Sequence, residues 1–322
     1  MRPVRTLAEA LGAGPLVLDG GLSNQLEAQG CDLSDALWSA RLLADGPEQI
    51  EAAHTAYVRA GARVLITSSY QATFEGFARR GIDREETARL LGRSVELARR
   101  AGEGATGEGV GAGAGAGAPE EVWVAASVGP YGAMLADGSE YRGRYGLSVG
   151  ALERFHRPRI EALAGAAPDV LALETVPDVD EAEALLRAAG GCGVPVWLSY
   201  TVAGGRTRAG QDLAEAFAVA AGNDQVVAVG VNCCDPAEAG AAVELAVAVT
   251  GKPAVVYPNS GERWDARARG WRGDTAFDPA RAAAWAGAGA RLVGGCCRVG
   301  PKTIAALADV LSEGDDAGTD TG

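Results

Sequence analysis

The 322-residue sequence predicts a single (β/α)8 barrel, a closed parallel sheet ringed by helices. Three observations predict it. Eight short apolar runs recur along the chain, each bounded by Gly, Pro, Asp or Asn. The runs are nearly continuous in apolar residues, which suits parallel strands buried on both faces rather than half-exposed ones. Helical patterns fill the intervals between them. A doubly wound open sheet is the competing architecture, but "LDGGLSNQLE" after the first run lacks the glycine fingerprint such a sheet typically carries there.

In order, the runs are "LVLDGG" (16–21), "RVLITSSY" (63–70), "VWVAASVGP" (122–130) and "VLALETVPD" (170–178). They continue with "VPVWLSYTV" (194–202), "QVVAVGVNCC" (225–234), "KPAVVYPNSG" (252–261) and "RLVGGCCRVG" (291–300). Among the helices, "DPAEAGAAVELAVAVT" opens on Asp235 as N-cap, with Pro236 in the first turn and Glu238 placed to complete a capping box. The sequence divides into a barrel over 1–311, a Gly/Ala-rich flexible insert at 102–118 within it, and an acidic tail over 312–322 expected to be disordered. Two long segments, 131–148 and 262–277, leave the third and seventh strands at the face where barrel enzymes carry their active sites.

Composition narrows the function. The net charge of −13 argues against nucleic acid and anionic membrane surfaces as partners. No run reaches the roughly 18 apolar residues of a membrane span, and the N-terminal segment lacks the apolar core of a signal peptide. A cytoplasmic location is therefore expected, where six cysteines stay reduced and serve as metal ligands or catalytic groups rather than disulfides.

The cysteines cluster. Cys233 and Cys234 close the sixth run, and Cys296 and Cys297 close the eighth. Alternation along a strand points only one of the first pair inward. Three inward thiolates form a soft site suited to zinc, with a fourth position open for substrate. Gly294 and Gly295 let the backbone turn tightly enough for successive cysteines to converge. Helices beginning at Asp235 and Pro301 favour the thiolate form. The competing readings are small buried hydrophobes, or a redox dithiol that would lack C-x-x-C spacing. Such a zinc suits activation of a substrate thiol for attack on an activated alkyl group. There is no nucleophile elbow or phosphate loop, and the two histidines, His54 and His156, fall in helical stretches and read as structural.

Polar residues at the other strand ends fit an amino-acid substrate. Asp19 and Glu174, if inward, would bind an α-ammonium group; otherwise they are a turn cap and a rim ion pair. Thr175 and Asn232 lie beside them, and backbone N–H groups after Gly20 and Gly21 would suit a carboxylate.

The motifs "LDGG", "TSSYQAT", "SVGPYG", "GSEYRG", "FHRPR", "LALET", "GVNC", "VVYPNSGE" and "GGCCR" occur in that order from Leu16 to Leu311. Together they resemble the zinc-dependent homocysteine S-methyltransferases, in particular the bacterial enzymes that use S-methylmethionine. The resemblance implies one Zn2+ per chain on Cys233, Cys296 and Cys297, with the homocysteine sulfur as fourth ligand and Cys234 left over. It implies that Asp19 and Glu174 face the homocysteine amino group, and that Tyr70, Gln71 and Tyr131 face the sulfonium donor, where aromatic rings attract a cation. S-methylmethionine is the implied donor, with S-adenosylmethionine next, and the product is methionine. Unlike the cobalamin-dependent relatives, the chain is expected to work without corrinoid-binding domains. Asn24 stands where many relatives carry Thr. A monomer or small homo-oligomer is expected. The alternatives are a zinc or thiol sensor that uses Cys234 as a fourth thiolate, and a methyltransferase acting on another thiol or a selenol such as selenohomocysteine.

Overall fold

The computed structural model describes residues 2–34, 37–107, 121–265 and 270–318. Each of the eight apolar runs supplies one strand. The strands are β1 (Leu16–Val17), β2 (Val64–Ile66), β3 (Trp123–Val128), β4 (Val170–Val176), β5 (Val196–Tyr200), β6 (Val226–Asn232), β7 (Ala254–Tyr257) and β8 (Ala290–Val293). All neighbours pair in parallel, in the order β1-β8-β7-β6-β5-β4-β3-β2. A parallel bridge between Leu18 and Val64 joins the two ends and closes the barrel.

Alternation along each strand sorts the side chains into two cores. Leu171, Leu173, Val229, Val231 and Val256 point outward, into the layer shared with the helices. Leu18, Val64, Trp123, Ala125, Ala172, Trp197, Ala228, Val255 and Leu292 fill the barrel interior. The N-terminal mouth is plugged by helix α1 (Leu7–Ala13), whose Thr6 and Glu9 form a reciprocal capping box and whose Leu7, Ala10 and Leu11 join the interior. Each of these buried leucines contributes about 2 kcal/mol. At the opposite mouth the same alternation brings polar groups inward: Ser127, Glu174, Ser199, Asn232 and Tyr257, all buried. The active face is therefore a polar layer resting on an apolar plug.

The surrounding helices include α2 (Leu22–Ala28), α3 (Pro47–Arg59), α4 (Arg84–Gly107), α5 (Tyr131–Leu135), α6 (Val149–Gly165), α7 (Val179–Ala189), α8 (Pro236–Thr250) and α9 (Pro301–Gly318). Three expectations are corrected. Helix α4 continues through Gly107, so the first residues of the 102–118 segment are helical; Ala101 and Ala105 are buried there, and 108–120 lie outside the described residues. Helix α9 runs past residue 312, to Gly318, where a disordered tail is expected. Glu238 makes no capping box; Asp235 alone caps α8 by accepting from the Ala237 N–H, and the Glu238 carboxylate accepts from the Gly204 N–H at 3.0 Å. The 262–277 segment contains a short hairpin, Arg263–Asp265 paired with Gly270–Arg272. Among the described residues no helix is long and apolar enough to cross a membrane.

Candidate active site

The Sγ atoms of Cys233, Cys296 and Cys297 lie within 4.8 Å of one another. The Cys233 and Cys296 sulfurs touch, with their Cα atoms 5.6 Å apart. Cys234 points the other way and is fully buried in the helix-facing core, so it supplies no fourth thiolate. Burial there pushes its thiol up to about 12.

The turn that presents Cys296 and Cys297 is tied down on every side. The Cys296 N–H donates to the Pro258 carbonyl at 2.8 Å, and the Cys297 N–H to Asn259 Oδ1 at 3.1 Å. The Ser260 N–H returns a bond to the Cys297 carbonyl at 3.0 Å. Asn24 Oδ1 accepts the Arg298 N–H at 2.6 Å, which fixes Arg298 at φ +65°. A Cβ at Gly295 would strike Val299, and one at Gly294 would strike Leu18, so only glycine fits this approach. Cys233 itself has φ +48°, costing about 1–3 kcal/mol that the surroundings must supply. Its N–H donates to the Tyr257 carbonyl at 3.2 Å, and its carbonyl accepts from the Thr201 hydroxyl at 3.2 Å. Burial pushes the Cys297 thiol up to about 11. Three soft sulfur donors in this spacing fit a thiophilic cation, whose charge would offset the cost of burying thiolates.

Two buried carboxylates face the same mouth. Asp19 accepts the Ile66 N–H at 2.9 Å through Oδ2, while Oδ1 has no partner. Among the described residues its one close basic group is His54 of α3, with Nδ1 4.0 Å from Oδ2. Burial lowers the His54 pKa to about 4, so it is neutral. Burial raises Asp19 well above the carboxylate range, and Glu174 adds to the rise. Glu174 accepts from the Ser127 hydroxyl and from the Tyr257 hydroxyl, the latter at 3.1 Å. Burial still raises it to about 7. Neither carboxylate has a Lys or Arg within ion-pair distance among the described residues. Two buried carboxyl groups without a Lys or Arg of their own are complementary to a cationic ligand group, whose charge would favour their ionised form.

Thr175 and Asn232 hold this arrangement. Thr175 sits at φ +57°, rare for a β-branched residue, at a register shift between β4 and β5. Asn232 is fully buried and spans to it: Oδ1 accepts the Thr175 N–H at 2.7 Å, and Nδ2 donates to Thr175 Oγ1 at 2.7 Å. Ser199 Oγ donates to the same Oδ1 at 2.9 Å. Gly20 packs so closely on the Val299 carbonyl and Tyr57 that a Cβ would collide with both. The Gly21 N–H is occupied by the Val299 carbonyl at 2.9 Å, so the N–H groups left for a carboxylate are those of the first turn of α2.

At the rim, Tyr70 is half-buried and shares a hydrogen bond with the Thr175 hydroxyl. Gln71 is buried, with Nε2 donating to the Ala133 carbonyl at 3.0 Å and Oε1 unpartnered. Tyr131 opens α5. Its ring packs on Tyr145 and Phe155, at 5.2 and 4.8 Å between centroids, and so on the α6 side. The aromatic residue against the cysteines is Tyr141, whose hydroxyl donates to Cys297. No local pattern marks Tyr141 in the sequence beyond its place in "GSEYRG". The second histidine, His156, belongs to a buried cluster beneath the rim. It contacts Glu181 at 2.9 Å and Arg159 at 2.6 Å. Arg159 donates to the Gly129 carbonyl, and the Tyr131 N–H donates to Glu181. The cluster thereby pins the β3–α5 turn, where a Cβ on Gly129 would collide with Tyr70.

Comparison with known proteins agrees with this geometry. The family model described as homocysteine S-methyltransferase matches residues 16–311. A homocysteine S-methyltransferase of Escherichia coli (strain K12) is 47% identical over 299 residues, covering 91% of this chain and 94% of the relative. One from Bacillus subtilis (strain 168) is 41% identical over 297 residues, covering 91% and 93%. The metallated crystal form of the E. coli homocysteine methyltransferase MmuM superposes with a TM-score of 0.79 at 45% identity, covering 92% of this chain and 96% of that one. The (β/α)8 barrel, its three-cysteine cluster and these matches lead to one conclusion: the chain belongs to the homocysteine S-methyltransferase family, and it is an enzyme that transfers a methyl group to homocysteine.

Proposed function

We propose that the chain is a zinc-dependent enzyme that takes the methyl group from S-methylmethionine, with one zinc per chain held by Cys233, Cys296 and Cys297 of a single barrel unit. The observation that carries this reading is the convergence of three sulfurs within 4.8 Å beside two buried carboxylates. The metal, when bound, supplies a thiolate at neutral pH from a coordinated thiol. Asp19 and Glu174 bind and orient the α-ammonium group of homocysteine, and N–H groups in the turn after Gly20 and Gly21 receive its carboxylate. Asn232 acts through Thr175, keeping Glu174 aimed inward. Tyr70 and Gln71 line the donor side, and Tyr131 supports that rim from behind.

The reaction needs no protein nucleophile. The homocysteine sulfur forms a bond to the sulfonium methyl carbon. The bond from that carbon to the donor sulfur breaks, and its electron pair stays on the donor as a neutral thioether. The thiol proton leaves to solvent. With S-methylmethionine, both products are methionine. Holding the two sulfurs in line is the protein's main contribution.

The test is methionine formation from homocysteine and S-methylmethionine by zinc-loaded and chelator-stripped protein. Turnover confined to the zinc-loaded protein is expected. Equal turnover by stripped protein, or turnover with S-adenosylmethionine alone, overturns the metal or the donor assignment respectively.

A further inference from the structure

The mouth of the barrel carries one cation and one anion that do not pair with each other. Arg208 is half-buried in the segment following the Val202–Ala203 and Arg206–Thr207 hairpin. Its Nε donates to Thr201 Oγ1 at 3.4 Å, and its guanidinium lies 5.5 Å from the centre of the Tyr141 ring. No carboxylate is within ion-pair distance of it among the described residues. By contrast Arg298, also at the mouth, is paired with Glu262 at 2.8 Å. Glu140, next to Tyr141, has a buried Oε2 with no hydrogen-bond partner. It is the neighbour of Tyr141 in the turn Ser139–Tyr141, and its charge is felt at Tyr70, Tyr141 and Cys297, so it belongs to the same mouth.

Both groups are held in place before any ligand arrives. The turn Ser139–Tyr141 sits directly on Gly132 of α5, where a Cβ would collide with Glu140. The Arg144 N–H donates to Asp178 Oδ2 at 3.0 Å, and Arg144 Nε donates to the Ala209 carbonyl at 3.1 Å. The Ala209 N–H in turn donates to the Pro177 carbonyl at 2.9 Å. Arg208 is linked to Cys233 through two hydrogen bonds, since the Thr201 hydroxyl that accepts from it donates to the Cys233 carbonyl. Two separate loops are thus stapled together with Tyr141 beside Cys297. Preorganisation of this kind lowers the cost of binding.

Resting on the donor reading above, we propose that Arg208 and Glu140 form the site of the methyl-donating amino acid, Arg208 clamping its α-carboxylate and Glu140 facing its sulfonium. A sulfonium amino acid carries a carboxylate beside its α-ammonium at one end and a cationic sulfur at the other, and the two unpaired groups match the carboxylate and the sulfonium in sign. A guanidinium suits a carboxylate through paired N–H donors. Tyr141 adds an aromatic surface at the cationic end. Homocysteine, with its ammonium group assigned to Asp19 and Glu174, leaves both groups free for the second substrate.

The experiment compares two donors in wild-type, Arg208→Gln and Glu140→Gln proteins. S-methylmethionine carries the carboxylate; dimethyl(propyl)sulfonium keeps the sulfonium and its methyl groups but lacks both the carboxylate and the α-ammonium group, of which only the carboxylate is matched by Arg208. Arg208→Gln should raise KM for S-methylmethionine roughly 10- to 100-fold. It should leave dimethyl(propyl)sulfonium and the homocysteine KM within about twofold, and the unchanged homocysteine KM reports an intact fold. Glu140→Gln should weaken both donors roughly 10-fold, because it removes the counter-charge they share. Equal losses with both donors in Arg208→Gln, or a raised KM for homocysteine instead, overturn the assignment. No methionine from wild-type protein with either sulfonium overturns the donor reading and this site together. Wild-type turnover with an indifferent Arg208→Gln overturns Arg208 alone.

Discussion

Replacing Glu174 with Gln should make the ligand-free protein more stable and the enzyme worse. Glu174 is 5% exposed, and burial raises its pKa from 4.5 to about 7 despite the Ser127 and Tyr257 hydroxyls. Keeping that carboxylate ionised in the folded state costs about 3 kcal/mol, at 1.36 kcal/mol per pKa unit. The sign follows from proton counts. Between pH 4.5 and 7 the unfolded chain has released this proton while the folded chain still holds it, so the group's contribution to stability falls as pH rises through that window. Above pH 7 the cost is complete; at pH 5 it has shrunk to about 1 kcal/mol or less. Gln keeps the shape and the acceptor for Ser127, but meets the Tyr257 hydroxyl with an amide, which offsets part of the gain. Urea unfolding of metal-free protein should show Glu174→Gln more stable by about 1–3 kcal/mol at pH 8, with the gap nearly closed at pH 5. Its homocysteine KM should rise by roughly 10-fold or more, through loss of a charged hydrogen bond. A variant destabilised equally at both pH values would refute the argument, as would an unchanged KM.

Other outcomes follow from the same contacts. Asn232→Ala releases the Thr175 backbone from its left-handed conformation and leaves a buried N–H unpaired, so it should cost about 2–3 kcal/mol in thermal or urea unfolding and raise the homocysteine KM. Asn24→Ala removes the acceptor for the Arg298 N–H and should weaken zinc binding roughly 10-fold in a chelator competition, since such supporting contacts orient ligands. Cys234→Ser places a hydroxyl in the helix-facing core and should lower stability by about 1–2 kcal/mol while one zinc per chain is retained; loss of zinc would restore Cys234 as a ligand. Below pH 7 the wild-type KM for homocysteine should rise as Glu174 takes up its proton, a trend that steady-state assays across pH 5.5 to 8 would read.

The barrel was legible because its signal is local and repeated. Each apolar run contains a strand, and strand alternation implies that one of Cys233 and Cys234 points inward; Cys233 lies in the thiol cluster and Cys234 in the outer core. What escaped the sequence depends on partners far away along the chain. Asn24 reads as a departure from its relatives, yet its side chain meets a backbone group 274 residues on. Glu238 has the spacing of a capping box, but a loop N–H at Gly204 competes for its carboxylate and wins. The 102–107 stretch has the composition of a linker, and the same small residues pack a helix closely: a Cβ on Gly102 would lie 3.0 Å from Val122. Tyr131 and Tyr141 are both aromatic residues of one segment. Only the fold of the turn between them puts Tyr141 at Cys297 and Tyr131 against Phe155.

The central claim is that homocysteine completes the metal centre with its own sulfur while Asp19 and Glu174 hold its amino end. X-ray absorption at the zinc edge, on zinc-loaded protein before and after homocysteine is added, tests it most directly. Three sulfur neighbours on the metal are expected before addition and four after, with the fourth at lower occupancy when Glu174→Gln protein is given homocysteine at a concentration near the wild-type KM. A sulfur count unchanged by homocysteine in the wild-type protein would contradict it.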